Sequence, residues 1–160
     1  MTLRRWSKSF EGFTRRRGDA EKKIEIERVS AEVIDAAVKL HQELGPGLLE
    51  SVYERVLAAS LIKAGLQVDR QLPVSFNYDG MQFDEAFRVD LLVEGCLIVE
   101  LKSAAQLSPV HGKQVLTYLR LMNLSVGLLL NFGHQTMKEG IRRIVNNHSP
   151  SSASPRLRVK

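Results

Sequence analysis

The chain has little of what marks several common protein classes. Its 160 residues include a single cysteine, Cys96, so no internal disulfide can form and a reducing, cytoplasmic compartment is expected. No apolar run approaches the roughly 20 residues that a membrane helix needs; Val126–Leu130, one of the longest, is interrupted by Gly127. The N-terminus has no apolar core segment, so no secretory signal is expected. There is no Gly-rich phosphate loop and no Ser-His-Asp arrangement. His111 has no second His or Cys at ligand spacing, which leaves it structural or exposed. A soluble protein of about one domain is what these absences leave.

What is present is ordinary in bulk, with 44% hydrophobic and 26% charged residues. The net charge of +5 is unevenly placed. Residues 1–23 hold eight Lys/Arg against three acids, and residues 149–160 hold three Lys/Arg and no acid, so residues 24–148 are net −3. Basic tails of this kind can hold phosphate backbones nonspecifically, and a solvated, disordered end is the plainer reading. Residues 1–23, with Trp6, Phe10 and Phe13, faintly resemble an organelle transit peptide, but Glu11, Asp19 and Glu21 argue against one.

Residues 1–23 lack sustained periodicity and read as a flexible extension or a frayed helix, and the Ser/Pro-rich residues 149–160 read as a disordered tail. The ordered body is expected from about residue 28 to residue 147. Ser30 suits the N-cap of a helix reaching Leu44, with Val33, Ala37, Leu40 and Leu44 at helical spacing and Gly45-Pro46-Gly47 ending it. A second helix over about 48–64 has Leu49, Val52, Val56 and Leu57 as its expected core face and Gly65 as its terminator. Extended sequence follows from Leu66 to Phe76, then an Asp79-Gly80 hairpin turn. Strands are expected over 83–93 and 97–102, a helix from Pro109 to about Met122, a buried strand over 125–132 and a last helix over about 136–146. The order is an α/β or α+β sandwich around one mixed sheet.

The strand Leu97–Lys102 carries charge into apolar sequence. Charged side chains are rarely buried unless paired or bound to metal, so Glu100 and Lys102, which share a strand face, need a reason. Asp90 lies on the preceding strand, and its placement depends on register. A two-residue turn at Glu94-Gly95 opposes Asp90 to Val99; a three-residue loop, Glu94-Gly95-Cys96, opposes it to Glu100. The second register is the one expected here. Two carboxylates facing at that spacing make a hard oxygen site suited to Mg²⁺, with Lys102 beside it to orient water or stabilise a charged transition state. An ordinary carboxylate–lysine pair at a sheet edge is the plainer alternative.

Asp90 followed by Glu100-Leu101-Lys102 resembles the signature of the PD-(D/E)XK nuclease superfamily, whose restriction-endonuclease-like core is α-β-β-β-α-β with a mixed central sheet flanked by helices. Val89 stands at the proline position of that name. Gly47-Leu48-Leu49-Glu50-Ser51-Val52-Tyr53 is similar to the defining motif of the GxxExxY branch. The likeness continues through Arg70-Gln71, Arg88–Leu92, Ile98–Lys102, Pro109-Val110-His111, Gln114, Tyr118-Leu119 and Gly127–Gly133, covering about residues 30–147. The resemblance implies catalytic residues Glu50, Asp90, Glu100 and Lys102, a Mg²⁺ or Mn²⁺ ion held by Glu50, Asp90 and Glu100, and substrate contacts from Tyr53, Gln114 and Tyr118. Glu54 shares the Glu50 helix face but does not align with the family glutamate. Arg70, Arg88 and Lys113 are equally readable as phosphate contacts or surface charges. The implied organisation is a basic extension (1–27), a nuclease domain (28–147) and a basic tail (148–160). The implied partner is nucleic acid, DNA rather than RNA, and the implied activity is phosphodiester hydrolysis. A noncatalytic nucleic-acid or protein-binding module on the same fold is the alternative.

Overall fold

The computed structural model describes residues 4–147, with side chains from Gly18 onward. In chain order the elements are α1 (Arg4–Leu44), α2 (Glu50–Lys63), β1 (Val68–Tyr78), β2 (Met81–Val93), β3 (Leu97–Lys102), α3 (Pro109–Met122), β4 (Val126–Asn131), the single turn α4 (Met137–Gly140) and β5 (Ile141–Val145). The strands form one sheet in the order β1-β2-β3-β4-β5. Only β3 and β4 are parallel, joined across α3; the other neighbours are antiparallel. The result is the expected α+β architecture, a mixed sheet with helices on both faces.

Two cores follow from strand alternation. Val99 and Leu101 of β3, Leu128 and Leu130 of β4, and Leu91 and Val93 of β2 meet α1 and α2 on one face. Ile98, Leu129 and Val89 meet Val115 and Leu119 of α3 on the other. β4 is buried at all six positions because both its faces are covered and it has a strand on either side.

α1 does not start at Ser30. Ile26 and Val29 continue the apolar series of Val33, Ala37 and Leu40 backwards at spacings of three and four, and Glu25 pairs with Arg28 one turn on at 2.6 Å. Ser30 therefore sits inside the helix, buried, with a hydroxyl that has no hydrogen-bond partner. α2 ends as its glycine requires: the N–H of Leu66 bonds the carbonyl of Leu61 at 3.1 Å and that of Gly65 bonds Ile62 at 2.9 Å. Its buried face, however, is Tyr53, Glu54, Leu57, Ala58 and Leu61, while Leu49, Val52 and Val56 are exposed. Both series have helical spacing. The stacking of Tyr53 on Phe132, with ring centroids 4.4 Å apart, belongs to the face that is buried.

The expected last helix is also corrected. Helix stops after one turn at Gly140, and Ile141–Val145 pairs with β4 as an edge strand. A Cβ at residue 140 would come within 2.1 Å of the Asn131 carbonyl oxygen, so only glycine passes there. Beyond it, Ile141, Ile144 and Val145 favour extended backbone, and the strand covers what would be an open edge of β4.

Asn131, at the end of β4, holds the chain that leaves β3. Its side chain is fully buried, accepts from the N–H of Ala104 (2.9 Å) and of Gly133 (3.1 Å), and donates to the Ala104 carbonyl (2.8 Å). Replacing Asn131 by Ala strands three partly buried backbone groups, each a lost hydrogen bond of about 1 kcal/mol net and more if left unsatisfied. Asn131→Ala is expected to destabilise the fold by about 2–3 kcal/mol, a fall in Tm of roughly 5–10 °C by thermal melting.

Candidate functional site

The β2–β3 hairpin sets the site. Leu91 pairs with Val99, Leu92 with Ile98 and Val93 with Leu97, which leaves Glu94-Gly95-Cys96 as a three-residue turn. Glu94 and Gly95 both have positive φ, 51° and 61°, the conformation that turns the chain here. Continued by one step, this register opposes Asp90 to Glu100, as expected. The ladder itself stops at Leu91/Val99. Past it, the N–H of Leu101 is satisfied by Asp90 Oδ2 at 2.9 Å, and Asp90 Oδ1 accepts from Gln71 Nε2 at 3.1 Å.

Glu100 is 3% exposed. Its Oε1 accepts from Lys102 Nζ at 2.7 Å, and its Oε2 is buried with no hydrogen-bond partner. Glu50, at the first position of α2, brings Oε1 to 3.8 Å from the same ammonium and is about half exposed. The acid at the helix N-terminus is also favoured by the helix dipole. Three carboxylates thus surround one lysine, and protonation responds to that imbalance. Burial, then the charge of Asp90, pushes the Glu100 carboxyl up to about 7 despite the Lys102 hydrogen bond. Burial works against the Lys102 charge, but the hydrogen bond to Glu100 and the charges of Glu100, Glu50 and Asp90 outweigh it and raise the lysine.

The remaining expected residues divide. Gln114 and Tyr118 lie on α3, over the sheet face that carries Glu100 and Lys102. Gln114 Nε2 donates to the Tyr118 hydroxyl at 2.6 Å, and the Tyr118 ring stacks on Phe87 at 4.0 Å. Tyr53 is corrected. It is fully buried, its hydroxyl donates to the Gly45 carbonyl at 2.6 Å and accepts from the Leu48 N–H at 3.2 Å, and its ring stacks on Phe132. It shapes the loop that delivers Glu50 and has no surface with which to touch a substrate. Glu54 is buried and forms a two-point ion pair with Arg70 at 2.7 and 2.9 Å. Arg88 pairs with Glu85 at 3.0 Å, and Lys113 is exposed on α3. His111 Nδ1 accepts from the Ser108 N–H and closes a capping box at the start of α3; its role is structural. Sequence reasoning missed Gln71 as a partner of Asp90, and its only signal was its place beside Arg70 in the family likeness.

The donor set fits a hard divalent ion. Carboxylate oxygens are its preferred ligands, Mg²⁺ takes one or two carboxylates with water and phosphate, and the bare, buried Oε2 of Glu100 lacks the partner that such an atom normally has. Among the described residues, no three His, Cys, Asp or Glu side chains come together as a ready metal cluster.

The family model of the PD-(D/E)XK nuclease superfamily matches residues 27–144. The chain belongs to that superfamily. Its nucleases typically use divalent metals, and the fold described above is consistent with the restriction-endonuclease-like architecture. No curated protein and no solved structure matches the chain. Among the described residues, no helix is long and apolar enough to cross a membrane.

The raised Glu100 carboxyl has a stability consequence of definite sign. Between its ordinary value of 4.5 and about 7, the folded chain holds this proton and the unfolded chain releases it. Metal-free stability therefore falls as pH rises through that window, by about 2–3 kcal/mol from this one group. Glu100→Gln removes the titration. In EDTA, urea melts at pH 5 and pH 8 are expected to shift in favour of the variant by about 2 kcal/mol across the window; parallel pH dependence in the two proteins would show that Glu100 does not titrate there.

Proposed function

We propose that this chain is a divalent-metal-dependent nuclease that hydrolyses phosphodiester bonds in DNA, a cytoplasmic enzyme of the GxxExxY branch of its superfamily. The observation that carries the reading is a buried Glu100 beside Asp90, which accepts from the Leu101 N–H; one Glu100 oxygen is bound by Lys102 while the other is unpartnered. The motif from Gly47 to Tyr53 supports the branch. The nuclease domain is residues 28–147, with basic segments 1–27 and 148–160 on either side supplying nonspecific attraction to phosphate.

Asp90 and Glu100 would hold a Mg²⁺ or Mn²⁺ ion, with Glu50 the third acid at the site. A divalent ion there supplies charge neutralisation on the phosphate and acidification of a bound water. Lys102 keeps its proton against burial because acids surround it. Its ammonium can orient the attacking water and stabilise charge on the phosphate oxygens as they become more negative. Gln114 and Tyr118, linked to each other above the same sheet face, would be the substrate contacts on this reading.

Purified protein incubated with labelled single-stranded, duplex and branched DNA and with RNA is expected to cut DNA with Mg²⁺ or Mn²⁺ and not with EDTA. Lys102→Ala and Glu100→Ala are each expected to lower the cleavage rate by at least 100-fold. Cutting that the variants retain in full would identify a contaminant. Metal-independent binding of DNA with no cleavage under any condition would assign the chain to the noncatalytic modules.

A further inference from the structure

The β1–β2 ladder changes face at one point. Arg70 and Leu91 are a regular pair, and both look toward the α1/α2 side, Arg70 through Glu54 and Leu91 in the first core. Leu72 and Val89 are the next regular pair, and both pack in the second core with α3. In an undisturbed ladder, pairs two residues apart point the same way, so both strands turn over between them. The residues left at the turnover are Gln71 and Asp90.

Gln71 has φ 48°, in the left-handed region. A residue with a Cβ adopts it at a cost and usually in a turn, not inside a strand. The side chain is exposed, so burial does not repay that cost. Its one polar contact is with the site: Nε2 donates to Asp90 Oδ1 at 3.1 Å while the Leu101 N–H donates to Oδ2 at 2.9 Å. A carboxylate only accepts, so the amide must present its NH₂. Both Asp90 oxygens are thereby fixed, and each retains a lone pair for a further partner. Backbone strain held in place beside a site carboxylate is the pattern of a functional constraint.

We propose that Gln71 is a positioning residue: the strained turnover of β1 directs its amide onto Asp90 and holds that carboxylate beside Glu100 for metal binding. The inference rests on the reading of Asp90 as a metal ligand, and it predicts that Gln71 governs affinity for the ion and not stability of the fold.

Two substitutions separate those quantities. Gln71→Asn keeps an amide and tolerates the left-handed region well, but is one methylene too short to reach Asp90. Gln71→Gly removes the side chain and the strain together. For the full chain and each variant, Tm in EDTA and Mn²⁺ affinity by electron paramagnetic resonance titration are measured. Both variants are expected to melt at or above the wild-type temperature and to bind Mn²⁺ about 10-fold more weakly, the lower end of the effect of partners that orient a ligand. Unchanged Mn²⁺ affinity in both variants overturns the proposal, and so does an affinity loss that tracks a fall in Tm, which would make Gln71 a structural residue. A wild type whose Mn²⁺ binding depends on Gln71 but which cuts no nucleic acid defeats the nuclease reading and leaves the positioning role standing. A wild type that binds no Mn²⁺ defeats both.

Discussion

The three-residue turn between β2 and β3 is the constraint on which the site depends. With Leu91 opposite Val99, one further step of the register brings Asp90 toward Glu100; with one residue fewer in the turn it would face Val99 and the carboxylates would part. The turn is anchored as well as shaped. The Glu94 N–H donates to the Gln67 carbonyl at 2.9 Å, and the Glu94 carboxylate accepts from the Gln67 N–H at 2.8 Å, so the turn is fastened to the residue that precedes β1. Asp90 then completes what the backbone leaves open, bonding the Leu101 N–H where the ladder stops. The carboxylate proposed as a metal ligand thus also satisfies a backbone donor, and its loss would remove that bond as well.

The same hairpin creates the electrostatic tension at the site. β3 lies between two strands and two helical layers, so Glu100 arrives at 3% exposure, almost wholly out of contact with solvent. Lys102, two residues on and on the same face, offsets part of the cost at 2.7 Å. Asp90 and Glu50 add to it. A pair of opposite charges would be a settled buried ion pair; three acids around one base are not. Burial first, and the surplus of acids after it, makes the carboxyl of Glu100 resist ionisation, while the same acids let the ammonium of Lys102 keep its proton against burial.

Much of this was legible in the chain because period two and turn length are local properties. Ile98, Glu100 and Lys102 alternate with Val99 and Leu101, and a glycine at position 95 makes the three-residue turn possible. The failures occurred where two local patterns competed and a distant contact decided. On α2, Leu49/Val52/Val56 and Tyr53/Leu57/Leu61 are both helical stripes; Phe132, far along the chain, selects the second. The same stacking moves Tyr53 from the substrate side into the core. Residues 141–145 read as helix until the open edge of β4 is known. Ser30 looks like a cap unless Ile26 and Val29 are seen to meet the sheet. Gln71 had no pattern to announce it, because a change of face inside a ladder breaks the alternation by which strands are read.

The acidity of the site also orders the steps of any phosphodiester chemistry there. Residues 24–148 are net −3, and Asp90, Glu100 and Glu50 concentrate negative charge around one lysine. A phosphate approaching that cluster without a counterion meets repulsion at close range, where low local dielectric makes it strongest. The basic residues that make the whole chain net positive lie in its first and last stretches of sequence. On the proposed nuclease reading, positive charge would have to be delivered at the cluster itself, and a divalent ion at the bare oxygen of Glu100 would supply it.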